Sequence, residues 1–261
     1  MRRVPLWLYV PAVAGIAFIL IGPVALVWRM PWHDFVATVT SPESLGALRL
    51  GLVTAAISTV ACLVLGVPIA VVFARHDGMI VRVIRALVLL PLVLPPVVGG
   101  IALLYALGRF GLVGHYLDRA GITLAFTTSA VILAQTFVAL PFLVLSVEGA
   151  LRSAGEGYER VAATLGAGPT RTLRTVTLPL VVPALLAGGV LAFARALGEF
   201  GATITFAGNL PGTTQTAPLK IYLDSINDPL QALPLALVLM VVALVVVVAV
   251  HLRRGAVGVS P

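Results

Sequence analysis

Lysine is almost missing from this 261-residue chain: Lys220 is its only one. A loop that cradles nucleotide phosphates needs spaced glycines closing on a lysine and a serine or threonine. Lys220 lies instead in Pro218-Leu219-Lys220-Ile221, so no such loop exists here. If ATP powers the protein, the nucleotide binds another polypeptide. Cysteine is as scarce, and a lone Cys62 excludes both a disulfide framework and a cysteine zinc cluster. It reads as a small apolar filler. The four histidines, His33, His76, His115 and His251, are scattered and do not gather into one metal site. Ser146 and Ser153 lack the surroundings of a nucleophile elbow. The chain is therefore expected not to be an enzyme.

Charge is the next shortage. Charged residues are 10% of the chain, against about 25% in soluble domains. Hydrophobic residues make up 60%, and the mean hydropathy is +1.10. A bilayer core takes roughly 20 apolar residues per helix, and about six runs reach that length. They lie near 7–28, 50–74, 86–107, 124–147, 178–207 and 233–252. Lipid offers no hydrogen-bond partners, so each span is expected to be helical. The expected fold is an all-α integral membrane protein of about six transmembrane helices. Arg2-Arg3 ahead of a long apolar run reads as the start of a retained first helix, not a secretory signal. The expected organisation is an N-terminal helix and outer loop over 1–44, a transmembrane domain over 45–252 and a short tail over 253–261. No repeat or low-complexity linker interrupts it.

The formal net charge of +7 is arranged as topology, not as a nucleic-acid footprint. With the N-terminus inside, inner segments hold Arg2, Arg3, Arg75, Arg82, Arg85, Arg152, Arg160, Arg171, Arg174, Arg253 and Arg254. Outer segments hold only Arg29, Arg49, Arg109, Arg119 and Lys220. The positive-inside bias thus predicts a multi-pass protein of the plasma membrane with both termini cytoplasmic. It also puts the one long polar insert, Glu148 to Thr177, inside.

That insert has the grammar of a helix. Ser153 is placed to cap it with Glu156 three residues on as a box partner. Glu156 and Glu159 fall in the first turns, where they suit the helix dipole, and Gly166 and Gly168-Pro169 end it. The exposed face is expected to carry Tyr158, Ala162, Ala163 and Leu165. Elsewhere, Pro91, Pro95 and Pro96 cannot sit in an unbroken helix, and broken helices at membrane depth are tolerated where they line a cavity or are buried in protein. Gly188-Gly189, Ala192, Ala194 and Ala196 suit tight helix contacts, and Leu235 to Val250 reads as a lipid-facing wall.

Arg195 and Glu199 are four apart, a spacing that puts them on one helix face. An arginine at mid-membrane costs about 2.5–3.5 kcal/mol, so a paired position facing a pore is expected. Arg195 comes 17 residues after Leu178, roughly 25 Å along a straight helix, which places the pair in the outer half. Two roles stay open for it, guarding the outer mouth or bridging an interface without a part in transport. The polar stretch Asn209 to Asp228 is either a contact for an outer partner or a plain loop.

The run Gly157-Tyr158-Glu159-Arg160-Val161-Ala162-Ala163-Thr164-Leu165-Gly166-Ala167, followed by Val176 and Leu178-Pro179, resembles the EAA loop of ABC-importer permeases. Three further stretches are similar to the molybdate/tungstate branch of type I importer permeases: Leu90 to Gly100, Ala194 to Thr203, and Phe206 to Asn209 with Gln215 to Leu219. The likeness covers roughly 45 to 250. One departure stands out, since many permeases have a glutamate six residues before the loop glycine, where this chain has Arg160 and places Glu159 one position earlier.

What the resemblance implies is a type I importer permease fold and a permease subunit importing molybdate or tungstate. Two copies would form the pore, and two ATP-binding subunits, carrying ATP and magnesium, would dock at the 153–168 helices. An extracytoplasmic oxyanion-binding protein would deliver the anion; no cofactor in this chain and no nucleic acid is implied. The coupling loop would be Glu156, Tyr158, Glu159, Arg160, Ala162, Ala163, Leu165, Gly166, Leu178 and Pro179. The translocation path would pass Pro95, Pro96, Gly99, Arg195, Glu199 and Thr203. The alternatives are a permease for sulfate or another oxyanion, and an ATP-independent carrier or channel, for which Glu199 is the only convincing intramembrane carboxylate.

Overall fold

A computed structural model describes residues 5–257, with side chains through Val248. Helices follow one another along the chain: α1 (Tyr9–Trp28), α2 (Phe35–Val39), α3 (Pro42–Arg75), α4 (Met79–Leu89), α5 (Pro96–Leu107), α6 (Gly114–Arg119) and α7 (Thr128–Ala154). Next come α8 (Gly157–Thr164), α9 (Pro169–Thr172), α10 (Leu178–Leu197), α11 (Gly201–Phe206), α12 (Ala217–Asn227) and α13 (Pro229–Val257). Five helices are long and apolar enough to cross a membrane, and α4 with α5 makes a sixth if that bent pair is one span. Helix α13 runs on through Val257, into the stretch expected to be a tail; residues 258–261 lie outside the described residues, as do Arg2 and Arg3.

Local chemistry sets the helix ends. Pro42 opens α3 at a position where its missing N–H costs nothing, and Ser41 Oγ accepts the Ser44 N–H at 3.2 Å. Thr127 caps α7 in the same way through the Ala130 N–H. Gly155, at φ 66°, ends α7, a backbone conformation glycine adopts without penalty.

The core is where α3, α7 and α10 meet. Ala55, Cys62 and Ala70 of α3 pack with Ala139, Leu143 and Val147 of α7 and with Val181, Ala192 and Ala196 of α10. The expected small-residue contact exists at Gly188, where an added Cβ would lie 2.9 Å from Ser146 Cβ; at Gly189 nothing is within 4 Å. Helix α1 buries no residue and is peripheral. Helix α13 is a lipid wall only in part: Leu235 is fully buried, while Val241, Leu244 and Val245 are exposed.

Two of the expected spans are not continuous. The third, 86–107, breaks between Leu92 and Pro96 and turns through 115°. Pro95 is extended, at ψ 132°, a preference it shares with Leu94 because a residue before proline avoids helix. The fifth, expected as 178–207, stops at Leu197 and resumes only at Gly201. The two breaks touch. A Cβ on Gly201 would lie 2.7 Å from Pro96 Cβ, and one on Gly100 would lie 1.7 Å from Thr205 Oγ1 and 2.7 Å from the Ala202 carbonyl oxygen.

Threonine could rotate away from Gly100, but the Ala202 backbone could not. Gly100→Ala is therefore expected to lower stability by about 1–3 kcal/mol, the range for overpacking. Gly149→Ala, with nothing within 4 Å of its added carbon, is the control. Thermal unfolding of the two variants in detergent measures the difference.

Candidate coupling surface and translocation path

Helix α8 is tied off by its sequence at one end. The Gly166 N–H reaches the Ala163 carbonyl at 3.0 Å and the Ala167 N–H reaches the Ala162 carbonyl at 3.0 Å. With Gly166 at φ 82°, this is a Schellman closure. The other end differs from expectation. Ser153 belongs to α7, where its hydroxyl donates to the Gly149 carbonyl at 2.8 Å, and the residue before α8 is Glu156, which makes no side-chain cap. Glycine at 155 ends α7 too late for Ser153 to leave it.

The exposed face is Tyr158, Val161, Ala163 and Leu165, with Arg160 and Glu156 beside them. Ala162, expected there, is 9% exposed and faces inward; Val161 takes its place. Tyr158, Val161 and Leu165 are three and four apart, so they line one side. With Ala154, Ala162 and Val176 they wall an open apolar cavity of about 610 Å³. Among the described residues, Arg160 makes no side-chain ion pair or hydrogen bond. Leu178 and Pro179 open α10 just beyond a π-helical turn, Leu173–Thr177.

Glu159 points the other way. Its Oε1 accepts hydrogen bonds from Arg75 Nη2, at the last residue of α3, and from Thr177 Oγ1 at 2.7 Å. The Arg75 and Glu159 side chains are 19% and 24% exposed. One carboxylate thus joins three pieces of chain: α8, the end of α3 and the foot of α10.

A second charge cluster, one the sequence reading missed, sits beside it. Glu148 Oε1 accepts a hydrogen bond from Arg152 Nε at 2.9 Å and forms an ion pair with Arg85 Nη2 at 3.0 Å. Both arginines also donate to the Phe73 carbonyl, at 2.7 and 2.6 Å, an acceptor left free by the end of α3. Arg152 reaches Asp77 at 2.9 Å as well. That hydrogen bond and the charge of Arg152 hold the Asp77 carboxyl below its ordinary value. The cluster pins the near ends of α3, α4 and α7 together. The only signal for it in the sequence is the i,i+4 pair Glu148 and Arg152; Arg85 and Phe73 come from elsewhere in the chain.

At the far end of α10 lies the other expected pair. Arg195 Nη1 is 2.5 Å from Glu199 Oε2, with side chains 27% and 1% exposed. The two do not share a helix, because α10 has ended at Leu197. Glu199 instead turns its Oε1 to the Ala202 N–H at 2.8 Å and so starts α11. Oε2 lies close to the guanidinium but out of hydrogen-bond alignment, so the contact is an ion pair. Arg195 is the half-open member, in the last turn of α10 just before the break that touches the third span.

The remaining expected path residues fall around that junction. Pro96 touches Gly201; Gly99 is buried, 3.0 Å from Phe137 by its added Cβ; Pro95 is exposed. Thr203 is fully buried, and its hydroxyl has no hydrogen-bond partner. Among the described residues no group of three or more His, Cys, Asp or Glu is placed to hold a metal.

Comparison with known proteins bears on both regions. A family profile described as "Binding-protein-dependent transport system inner membrane component" matches residues 64–255. The molybdenum transport system permease protein ModB of Mycobacterium tuberculosis is 59% identical over 249 residues, 95% of this chain and 94% of that one. ModB of Escherichia coli K12 is 50% identical over 134 residues, 51% of this chain and 58% of that one. Among solved structures, a bacterial ABC transporter that imports the acidic polysaccharide alginate superposes with a TM-score of 0.73 at 18% identity. It covers 96% of this chain and 95% of the other. The inward-facing MetNI methionine ABC transporter superposes with a TM-score of 0.61 at 18% identity, covering 84% of this chain and all of the other. At that identity the two structures speak for the fold alone.

Proposed function

The chain belongs to the family of binding-protein-dependent transport system inner membrane components, and from that membership we propose that it is the membrane-spanning subunit of an ATP-driven importer carrying molybdate, or tungstate, into the cytoplasm. Identity with a molybdenum permease along nearly the whole chain is the observation that carries the reading. In this reading a peripheral helix and outer loop over 1–44 precede a transmembrane domain over 45–252, with the first boundary falling inside α3, which opens at Pro42.

In this reading both termini and α8 face the cytoplasm. An ATP-binding subunit docks on the side of α8 that exposes Tyr158, Val161 and Leu165, with Arg160 at its rim. Two copies of the chain form the pore, two ATP-binding subunits hold ATP and magnesium, and an extracytoplasmic binding protein delivers the anion. The path runs past Pro95, Pro96, Gly99, Arg195, Glu199 and Thr203. A guanidinium there offers a tetrahedral oxyanion a planar, permanently charged fork, and the ion pair with Glu199 keeps it from becoming a trap. Selectivity lies mainly in the binding protein, because the chain offers few fixed donors for a tight site.

Deleting the gene and following molybdenum uptake at low external molybdate tests this. Uptake is expected to fall to background and to return with the intact gene, while sulfate uptake is unchanged. A strain that lost sulfate uptake and kept molybdate uptake would overturn the assignment.

A further inference from the structure

We propose that Arg75 is a positioning residue for transport: with Thr177 it holds Glu159 inside this chain, so that α8, the end of α3 and the foot of α10 move as one body. The inference rests on the function proposed above and deepens it, since it says how a push on α8 enters the spans.

Three observations lead there. Glu159 is the acidic residue within α8, yet its carboxylate turns away from the exposed face of the helix and accepts from Arg75 and from Thr177. All three side chains are largely shielded: Arg75 and Glu159 are 19% and 24% exposed, and Thr177 is buried at 4%. Arg160, next in sequence, stays exposed and faces out. A loop with adjacent acidic and basic residues thus divides the work between them. The acid fastens the helix to its own chain, and the base is left for the partner.

The place of Thr177 makes the fastener consequential. It is the last residue of the π-helical turn Leu173–Thr177, immediately before α10. Helices kink at π-turns, and there a push could be absorbed by bending. Fixing the end of that turn to Glu159 leads the push past it into α10. On the other side, Arg75 lies two residues after Phe73, whose carbonyl receives Arg85 and Arg152. The end of α3 therefore connects the fastener to the cluster that pins α4 and α7.

The test uses the whole transporter, with its ATP-binding subunit and binding protein, in proteoliposomes. Three quantities are read: recovery of the ATP-binding subunit with the permease, ATP hydrolysis, and molybdate taken up per ATP hydrolysed. Arg75→Gln and Glu159→Gln are expected to retain the subunit and to hydrolyse ATP, but to lose most of the uptake per ATP. Thr177→Val is expected to lose less. The reversed pair R75E/E159R is expected to recover much of the coupling, because a threonine hydroxyl accepts from an arginine as readily as it donates to a carboxylate.

Wild-type coupling in both single variants would overturn the proposal. So would release of the ATP-binding subunit by Glu159→Gln without recovery in R75E/E159R, since Glu159 would then be a contact of the partner. If a single variant fails to accumulate, the reversed pair decides: recovery supports the fastener, and failure overturns it. All values are ratios to wild type. Failure of the wild-type complex to move molybdate would instead count against the proposed function.

Discussion

Replacing Arg195 by leucine is expected to abolish molybdate uptake, and replacing Glu199 by glutamine at the same time is expected not to restore it. The double change is what gives the result meaning. In the single variant the Glu199 carboxylate, 1% exposed, is left with only the Ala202 N–H, and an uncompensated buried charge destabilises strongly, by about 3–5 kcal/mol. Loss of uptake in Arg195→Leu alone would not separate a missing pore charge from a damaged junction between α10 and α11. In R195L/E199Q both charges are gone, and the glutamine oxygen still accepts the Ala202 N–H that starts α11. The double variant is therefore expected to accumulate, bind its ATP-binding subunit and remain inactive. Arg195→Lys, which keeps the charge and loses the fork, is expected to retain part of the uptake. Restored uptake in the double variant would make the pair a structural bridge with no part in transport, one of the two roles its spacing leaves open.

How far such a site can be read from sequence varies with the range of the interaction. The membrane class was legible because a shortage of charge and long apolar runs are properties of composition. The stop at Gly166 was legible because a Schellman closure needs only neighbours and a glycine at positive φ. The break in the third span was announced by Pro95 and Pro96. The break in the fifth was not, since Gly198 alone does not end a helix; Glu199 ends it by turning back to the Ala202 N–H. An i,i+4 spacing suggested that Arg195 and Glu199 share a helix, and the two pair although the helix has stopped.

The direction of Glu159 was beyond local reading. Its partners lie 84 and 18 residues away, and nothing in the motif says whether an acid on a short helix serves the outside or the inside. The same holds for Ala162 and Val161: a helix of eight residues gives too few turns to separate an inward face from an outward one by pattern. Ser153 shows the opposite error. Its capping spacing was sound, but α7 had not yet ended.

The cluster at Glu148 carries the other large effect. Glu148→Leu is expected to lower stability by about 3–5 kcal/mol, the cost of removing one partner from a buried ion network. The side chain is 8% exposed and binds two arginines through one oxygen. Without it, Arg85, 22% exposed, keeps the Phe73 carbonyl and the Phe73 ring, 5.4 Å from its guanidinium carbon, but its nearest carboxylate is then the more exposed Asp77, at 3.9 Å. Arg152 is more open and still has Asp77 at 2.9 Å, so its share of the loss is smaller and the lower half of the range is favoured. Glu148→Gln keeps a neutral acceptor between the two guanidinium groups and is expected to fall between leucine and wild type. Arg160→Leu, a change at an exposed position, is expected to stay within about 0.5 kcal/mol. Thermal unfolding of the purified permease in detergent ranks the three. A loss below about 1 kcal/mol for Glu148→Leu would place the cluster with surface ion pairs, which contribute little. In that case Arg85 would hold α4 to the end of α3 mainly through Phe73, its carbonyl and its ring, and only one of the two connections at the end of α3 would be strong enough to carry a push from α8.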